Sequence, residues 1–306
     1  MTEPGDARPL GTTRIRERIF RWGERTYVMG ILNVTPDSFS GDGFLAAGSG
    51  RPAEAWVDAL VKVAGRMIDD GADLLDIGGE STRPGHAPVD DDEERSRVVP
   101  AVAAVRAAFP DVPLSIDTTK PGVAHAALTA GADLVNDVWA VGPDDGIARV
   151  AADHGVPLVV MHNRAEPRYA HLVAEVIADL RVACERAVRL GVDPEGIIVD
   201  PGFGFGKTAE HNLEMLRGLD AVRILGRPIL LGTSRKSTLG RILGLGPDER
   251  VEATLATTAL GIAAGVDIVR VHDVRANVRC ARVSDAIVRG GWRGDGRGDP
   301  AEGGPT

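Results

Sequence analysis

Eight short, largely apolar runs, separated by stretches with a helical period, constrain this sequence more than any other feature. They are Val28 to Asn33, Leu74 to Ile77, Pro113 to Asp117, Asp133 to Asn136, Pro157 to His162, Ile197 to Asp200, Pro228 to Gly232 and Asp267 to His272. Runs of this kind suit strands buried on both faces, which occur in parallel sheets covered by helices. The intervening helical pattern is clearest from Tyr169 to Leu190, where Leu172, Val176, Ile177, Leu180, Ala183, Cys184, Ala187 and Val188 follow the 3.6-residue period. A weak repeat marks the joints: Gly71, Gly131, Gly155 and Gly265 each stand between a helical stretch and the next apolar run. Glycine closes helices in this way because it enters the left-handed conformation without steric cost. Eight alternating units over roughly 260 residues match the size of a (β/α)8 TIM barrel. The predicted fold class is therefore α/β, a single-domain (β/α)8 barrel, with a doubly wound open sheet as the alternative.

The barrel is expected over residues 27–289. Residues 1–26 are rich in Arg, Gly and Thr without a period, and read as a flexible start leading into an edge hairpin around Ile19 to Tyr27. From Gly290 the chain runs GGWRGDGRGDPAEGGPT, too poor in apolar side chains to order itself. The formal net charge of -9 gives no overall basic field, so no nucleic-acid partner is expected. No apolar run approaches the ~18 residues of a membrane span, and no signal-peptide core leads the chain. The two cysteines, Cys184 and Cys280, form neither a disulfide framework nor a metal-spaced cluster, as suits a reducing cytoplasm.

In a barrel, whatever follows each strand collects at one face. Here the runs end in Asn33-Val-Thr-Pro-Asp-Ser, Glu80-Ser-Thr-Arg-Pro, Asp117-Thr-Thr-Lys, Asn136-Asp137, Met161-His162-Asn163-Arg164, Asp200-Pro-Gly-Phe-Gly-Phe-Gly-Lys, Gly232-Thr-Ser-Arg-Lys-Ser and Arg270-Val-His-Asp. Asp117 and Asp200 admit a plain reading as helix caps. Two carboxylates facing one cavity with Asn136 between them instead call for matching donors, which the amino-amide edge of a flat heterocycle supplies. His162 reads as a packing residue, and Ser81 with Asp90 to Glu94 as a solvated loop and helix start. The stretch Gly202 to Thr208 fits neither nucleotide template: a phosphate-binding loop needs glycine where Pro201 stands, and a dinucleotide fingerprint begun at Gly202 needs one at Lys207. Begun at Gly204, the fingerprint reaches only its looser alanine form at Ala209. A close-packed turn bringing Phe203 and Phe205 to the barrel mouth is the better account.

Taken together, these strand ends resemble the dihydropteroate synthases of bacterial folate synthesis. The matching motifs, in order, are GILNVTPDSFS (30–40), DIGGESTRPG (76–85), SIDTTK (115–120), NDV (136–138), MHNR (161–164), DPGFGFGKT (200–208), GTSRKS (232–237) and RVHDV (270–274), within a resemblance covering about Val28 to Val288. The resemblance implies a barrel, usually dimeric, that joins p-aminobenzoate to 6-hydroxymethyl-7,8-dihydropterin diphosphate with Mg2+ and releases pyrophosphate. Carried over by position, it implies a pterin pocket of Asp117, Asn136, Asp200 and Lys236 walled by Met161, Phe205 and Gly232. Asn33 would ligate magnesium. Arg270 and His272 would hold the diphosphate, with Thr82 and Arg83 on the second loop, and Ser237 with Lys236 would help seat p-aminobenzoate. Asp117, Lys236 and Arg270 carry the implied catalytic roles: cations neutralise the departing diphosphate, and Asp117 faces the cation-like methylene it leaves. Loops 34–48 and 80–95, glycine-containing and polar, suit lids.

The sequence departs from the family at Gly41-Asp-Gly-Phe44, where Asp-Gly-Gly is commoner, and at Asn163, where many members have a second Met. Two other functions share the scaffold. A pterin-binding methyltransferase domain needs no diphosphate site, against which Arg270, His272, Asn33 and Thr82-Arg83 argue. A non-catalytic pterin-binding paralogue is expected to lose Asp117, Lys236 or Asn33, and all three are present.

Overall fold

The structure, a computed structural model, describes residues 10–34, 53–80, 89–140 and 145–290, apart from the side chains of 53–55. A hairpin of β1 (Thr12–Ile15) and β2 (Arg18–Arg21) comes first. Then β3 (Tyr27–Asn33) leads into α1 (Ala53–Asp69), β4 (Leu74–Gly78) into α2 (Asp91–Ala108), and β5 (Leu114–Asp117) into α3 (Pro121–Thr129). Next, β6 (Leu134–Asp137) leads into α4 (Gly146–His154), β7 (Leu158–Met161) into α5 (Leu172–Arg189), and β8 (Ile197–Asp200) into α6 (Ala209–Arg217). Last, β9 (Leu230–Leu231) leads into α7 (Ser237–Leu243) and α8 (Val251–Ala263), and β10 (Ile268–Val271) into α9 (Val274–Val288). The expected strands are all present, shifted by a residue or two at their ends, and the repeat glycines Gly71, Gly131, Gly155 and Gly265 all have positive φ.

Strands β3 to β10 form one parallel sheet in the order β8-β7-β6-β5-β4-β3-β10-β9. Successive strands are neighbours, with no reversal of order such as a doubly wound sheet requires. The sheet curls until its edges meet, where Val199 pairs with Ile229 in a single parallel bridge and Val199 N donates to Pro228 O at 2.9 Å. The result is a (β/α)8 barrel.

Because side chains alternate across a strand, each strand sends every second residue inward. On β4 the outward Leu75 and Ile77 join the layer beneath the helices, while Leu74 points into the barrel and Asp76 follows it two residues on. The same period puts Ser115 and Asp117 of β5, Asn136 of β6, Met161 of β7, Asp200 of β8 and Arg270 of β10 on the interior. The inward residues nearest the strand starts are apolar: Met29, Leu74, Leu134, Val159, Ile198, Leu230 and Ile268. Those nearest the strand ends are polar apart from Met161 of β7.

The hairpin expected around Ile19 to Tyr27 sits earlier, and residues 12–21 are built into the fold rather than loose. Ile15, Phe20 and Trp22 are buried against Tyr27 and the apolar lower layer, so the hairpin plugs the N-terminal end of the barrel. Phe20 lies 4.7 Å from the Tyr27 ring and 5.6 Å from Trp22, and Thr13 Oγ1 donates to Glu195 O. With that end stoppered, the polar strand ends are the open face. The segments 1–9 and 291–306 lie outside the described residues.

Candidate active site

Four inward polar residues interlock at the strand ends. Arg270 Nε donates to Asp76 Oδ2 at 2.5 Å and its Nη2 to Asp117 Oδ2 at 2.6 Å, while Asn136 Nδ2 donates to the same Asp76 oxygen at 3.1 Å. Asp76, Asp117 and Asn136 are all buried. A guanidinium fork is the group that can tie two carboxylates at once. It leaves work undone, because Asp76 Oδ1 and Asp117 Oδ1 are buried without a hydrogen-bond partner. An unmatched buried acceptor costs about 1–3 kcal/mol, so both oxygens are poised for donors from a ligand. Burial, opposed by the Arg270 charge, pushes the Asp117 carboxyl up to about 7. Burial also works against the Arg270 charge, but Asp76 and Asp117 outweigh it and raise the guanidinium above its ordinary value.

Asp200 stands further round the wall. Its Oδ1 accepts from Gly202 N at 2.7 Å, and its Oδ2 is 4.0 Å from where a Cβ on Gly232 would stand, so the missing side chain keeps that oxygen's approach open. Burial, offset by Lys236, raises the Asp200 carboxyl. Lys236 comes in from the start of α7: its Nζ donates to Phe203 O and sits 4.4 Å from the Phe205 ring centroid. Burial lowers this ammonium to about 8. Met161 is buried on the inner face of β7. His272 Nδ1 is 3.0 Å from Ser234 Oγ, which also accepts from His272 N at 3.1 Å, so the ends of β9 and β10 are laced together beside Arg270. Bidentate Arg235–Asp273 contacts of 3.0 and 2.7 Å repeat that lacing one residue on. Ser237 opens α7 and is exposed.

The capping account of the two aspartates fails. The α3 helix has Lys120 at its N-cap position, and α6 is capped by Thr208, not by Asp117 or Asp200. Two further expectations change. Phe203 is buried in the outer layer rather than at the mouth; its carbonyl, and the ring of Phe205, are what face Lys236. The acidic run is solvated only in part: Asp90 caps α2 through Glu93 N, but Glu94 is buried and paired with Lys120 Nζ at 2.5 Å. Lys120 also reaches Glu80, whose other oxygen accepts from Val89 N at 3.3 Å. Thr82 and Arg83, Ser81, and nearly all of the first loop lie outside the described residues.

His162 is fully buried, as a packing residue should be, but it also belongs to a polar chain. Its Nε2 is 3.1 Å from Asp179 Oδ2 and its Nδ1 is 3.0 Å from Lys207 Nζ. Asp179 also accepts from Arg164 Nε and Nη2. Burial, reinforced by Lys207, drops the imidazole to about 4, so it is neutral near pH 7.

Sequence reading missed Asp76, Ser234 and Lys207. Only Asp76 left a signal, as an aspartate in the middle of an otherwise apolar strand four residues before the polar cluster that opens at Glu80. For a metal, Asn33 offers a hard amide oxygen near the end of β3, 3.8 Å from the space beside Gly78 that Asp117 Cβ also borders. No cluster of three or more acidic, histidine or cysteine side chains fit for a metal occurs among the described residues. An ion that takes one protein oxygen and completes its shell from phosphates and water is compatible with that donor set, and magnesium characteristically keeps several waters and draws on substrate phosphates.

The open end of the barrel combines unmatched carboxylate oxygens with half-buried cations, and the chain belongs to the pterin-binding enzymes: the family described as Pterin binding enzyme matches residues 29–272. A dihydropteroate synthase of Clostridium beijerinckii is 49% identical, over 90% of this chain and 99% of its own length. Among solved structures, a Clostridium difficile dihydropteroate synthase in the presence of pteroic acid superposes with a TM-score of 0.82 at 47% identity, covering 88% of this chain and 99% of that one. The Xanthomonas albilineans dihydropteroate synthase in complex with 7,8-dihydropteroate gives 0.78 at 40% identity, covering 89% and 96%. Within the pterin-binding enzymes, the chain is a member of the dihydropteroate synthases.

Proposed function

We propose that this transferase condenses 6-hydroxymethyl-7,8-dihydropterin diphosphate with p-aminobenzoate, giving 7,8-dihydropteroate and pyrophosphate. The observation that carries the reading is the Asp76–Arg270–Asp117 network with its two unpartnered carboxylate oxygens. Those acceptors, with Asp200, suit the amino-amide edge of a pterin, and Asn136 and Lys236 complete the rim. Gly232, Met161 and Phe205 wall the ring. Arg270 keeps Nη1 uncommitted among the described residues and turns positive charge toward the diphosphate, with His272 beside it as a further hydrogen-bonding group. Magnesium held by Asn33 and the phosphates would neutralise further negative charge on the leaving group.

The methylene carbon–oxygen bond breaks and its electron pair leaves with pyrophosphate. Asp117 lies beside the resulting cationic methylene, and its charge favours that state over the neutral ground state. The amine lone pair of p-aminobenzoate then forms the new carbon–nitrogen bond and a proton is lost to water. Ser237, exposed at the start of α7, with Thr82 and Arg83, seats the carboxylated ring. The protein works as a cytoplasmic homodimer: Leu260 of α8 and Val283 and Ile287 of α9 are exposed, and the last two are one helical turn apart on a single face.

Pyrophosphate release, measured with the diphosphate substrate alone, with p-aminobenzoate added, and with a chelator before and after magnesium, tests the reading. Release should require both substrates and the metal. Release that continues past one turnover without p-aminobenzoate would leave a pyrophosphohydrolase instead, binding without release a non-catalytic pterin binder, and full turnover in excess chelator would remove magnesium from the reaction.

A further inference from the structure

The loop after β8 carries the groups that present Asp200 and receive Lys236, yet its own backbone does little to hold it. Gly202, Gly204 and Gly206 all have positive φ, and one internal bond, Phe205 N to Gly202 O at 3.1 Å, links its residues. It is moulded against its neighbours: a Cβ on Gly202 would stand 1.8 Å from His162 O, and one on Gly206 2.4 Å from Arg164 O. Three of its carbonyls are gripped, two by Lys207 at the loop's own C-terminal edge and one by Tyr169 from the connection between β7 and α5. Lys207 Nζ donates to Gly202 O at 3.1 Å and Phe205 O at 3.2 Å, and Tyr169 OH donates to Gly206 O at 2.7 Å. The third ammonium proton of Lys207 goes to His162 Nδ1. That nitrogen is an acceptor because Nε2 faces a carboxylate, which only accepts, and so carries the ring proton.

We propose that Lys207, keyed by the neutral His162, is a positioning residue of the pterin site, holding the 202–206 loop so that Gly202 N orients Asp200 while Phe203 O and the Phe205 ring receive Lys236. The inference rests on reading this pocket as the pterin site. Burial lowers the Lys207 ammonium to about 7, and in its charged form all three protons are matched, by Gly202 O, Phe205 O and His162 Nδ1. Loss of the anchor leaves the loop to Gly204 N on Asn212 Oδ1 and Tyr169 OH on Gly206 O, and loosens the peptide whose N–H fixes Asp200 and the carbonyl and ring that fix Lys236. The grip on the pterin is lost, while the p-aminobenzoate side, which shares only Lys236 with this loop, is affected far less.

Lys207→Met keeps the length of the side chain and removes the donors. Pterin affinity by calorimetry should fall about tenfold or more, with the KM for p-aminobenzoate at saturating diphosphate substrate within a factor of about two of the parent. Amide exchange across 202–206 should quicken in the ligand-free protein. Should Lys207→Met fail to fold, Tyr169→Phe loosens the same loop by one hydroxyl, and about threefold weaker pterin binding with the same split is expected. A folded Lys207→Met that binds pterin like the parent, an equal rise in both KM values, or an unfolded Lys207→Met alongside a Tyr169→Phe with parental affinity would overturn the proposal. A parent that binds no pterin overturns the pocket reading and the inference with it, whereas a parent and variant that bind alike overturn the inference alone.

Discussion

At the scale of single residues, Asp117 separates reaction from architecture. It caps no helix, so Asp117→Asn removes a charge without unmaking a cap. A rate loss on the order of 100-fold is expected, the size seen when one electrostatic contact to a transition state disappears. Turnover within a factor of about three of the parent would place Asp117 outside the chemistry. The same substitution has a signature in stability. The Asp117 carboxyl titrates near 7 in the fold against an ordinary 3.8. A raised folded value means that its contribution is fully present below the ordinary value and is lost as pH rises through about 7. The asparagine cannot titrate, so the parent's advantage in Tm over the variant should shrink steadily between those two values. A difference that is flat with pH would show that the carboxyl is not perturbed. Asp117 was legible in the sequence as a strand-end acid, but its tie to Asp76 was not. That tie runs through Arg270, 194 residues from Asp76, and only the closed barrel brings the two together.

Among the elements, the eight barrel strands could be read directly, because strands buried on both faces write continuous apolar runs. The hairpin could not. Its turn runs through Arg16 in the left-handed region, at φ 56°, where a glycine or asparagine would have announced it. Its buried face is assembled from Thr13, Ile15 and Phe20 across two short strands and Trp22 just past the second, too brief for either strand to show a period. Phe20→Ala tests whether this stopper is part of the core. Phe20 is 1% exposed among Trp22, Tyr27 and the lower barrel layer, so the loss should fall in the range of about 3–5 kcal/mol for large-to-small changes in cores. Urea unfolding would measure it, with turnover per folded molecule unchanged because the site is at the other end. A cost below about 1 kcal/mol would mean that the hairpin lies on the barrel without sealing it. Glu94 teaches the same lesson at a helix start: it reads as one more solvated acid until Lys120, from a different loop, is seen beside it.

For the whole molecule, the exposed apolar residues of α8 and α9 predict assembly. Ile287 is 77% exposed, so Ile287→Arg should cost the monomer little, while a charge in an apolar contact should shift the chain toward monomer in sedimentation. A parent that sediments as a monomer at micromolar concentration would end the dimer reading. The barrel itself has an uneven wall. Seven of its joints are strand ladders, but the last, between β8 and β9, is one bridge at Val199 and Ile229. Asp200 stands at the end of one lip of that joint and Gly232 just past the other. If the proposed pterin ring is held between them, it spans the gap as a rivet spans a riveted hoop, and the molecule should be a stiffer vessel when full than when empty.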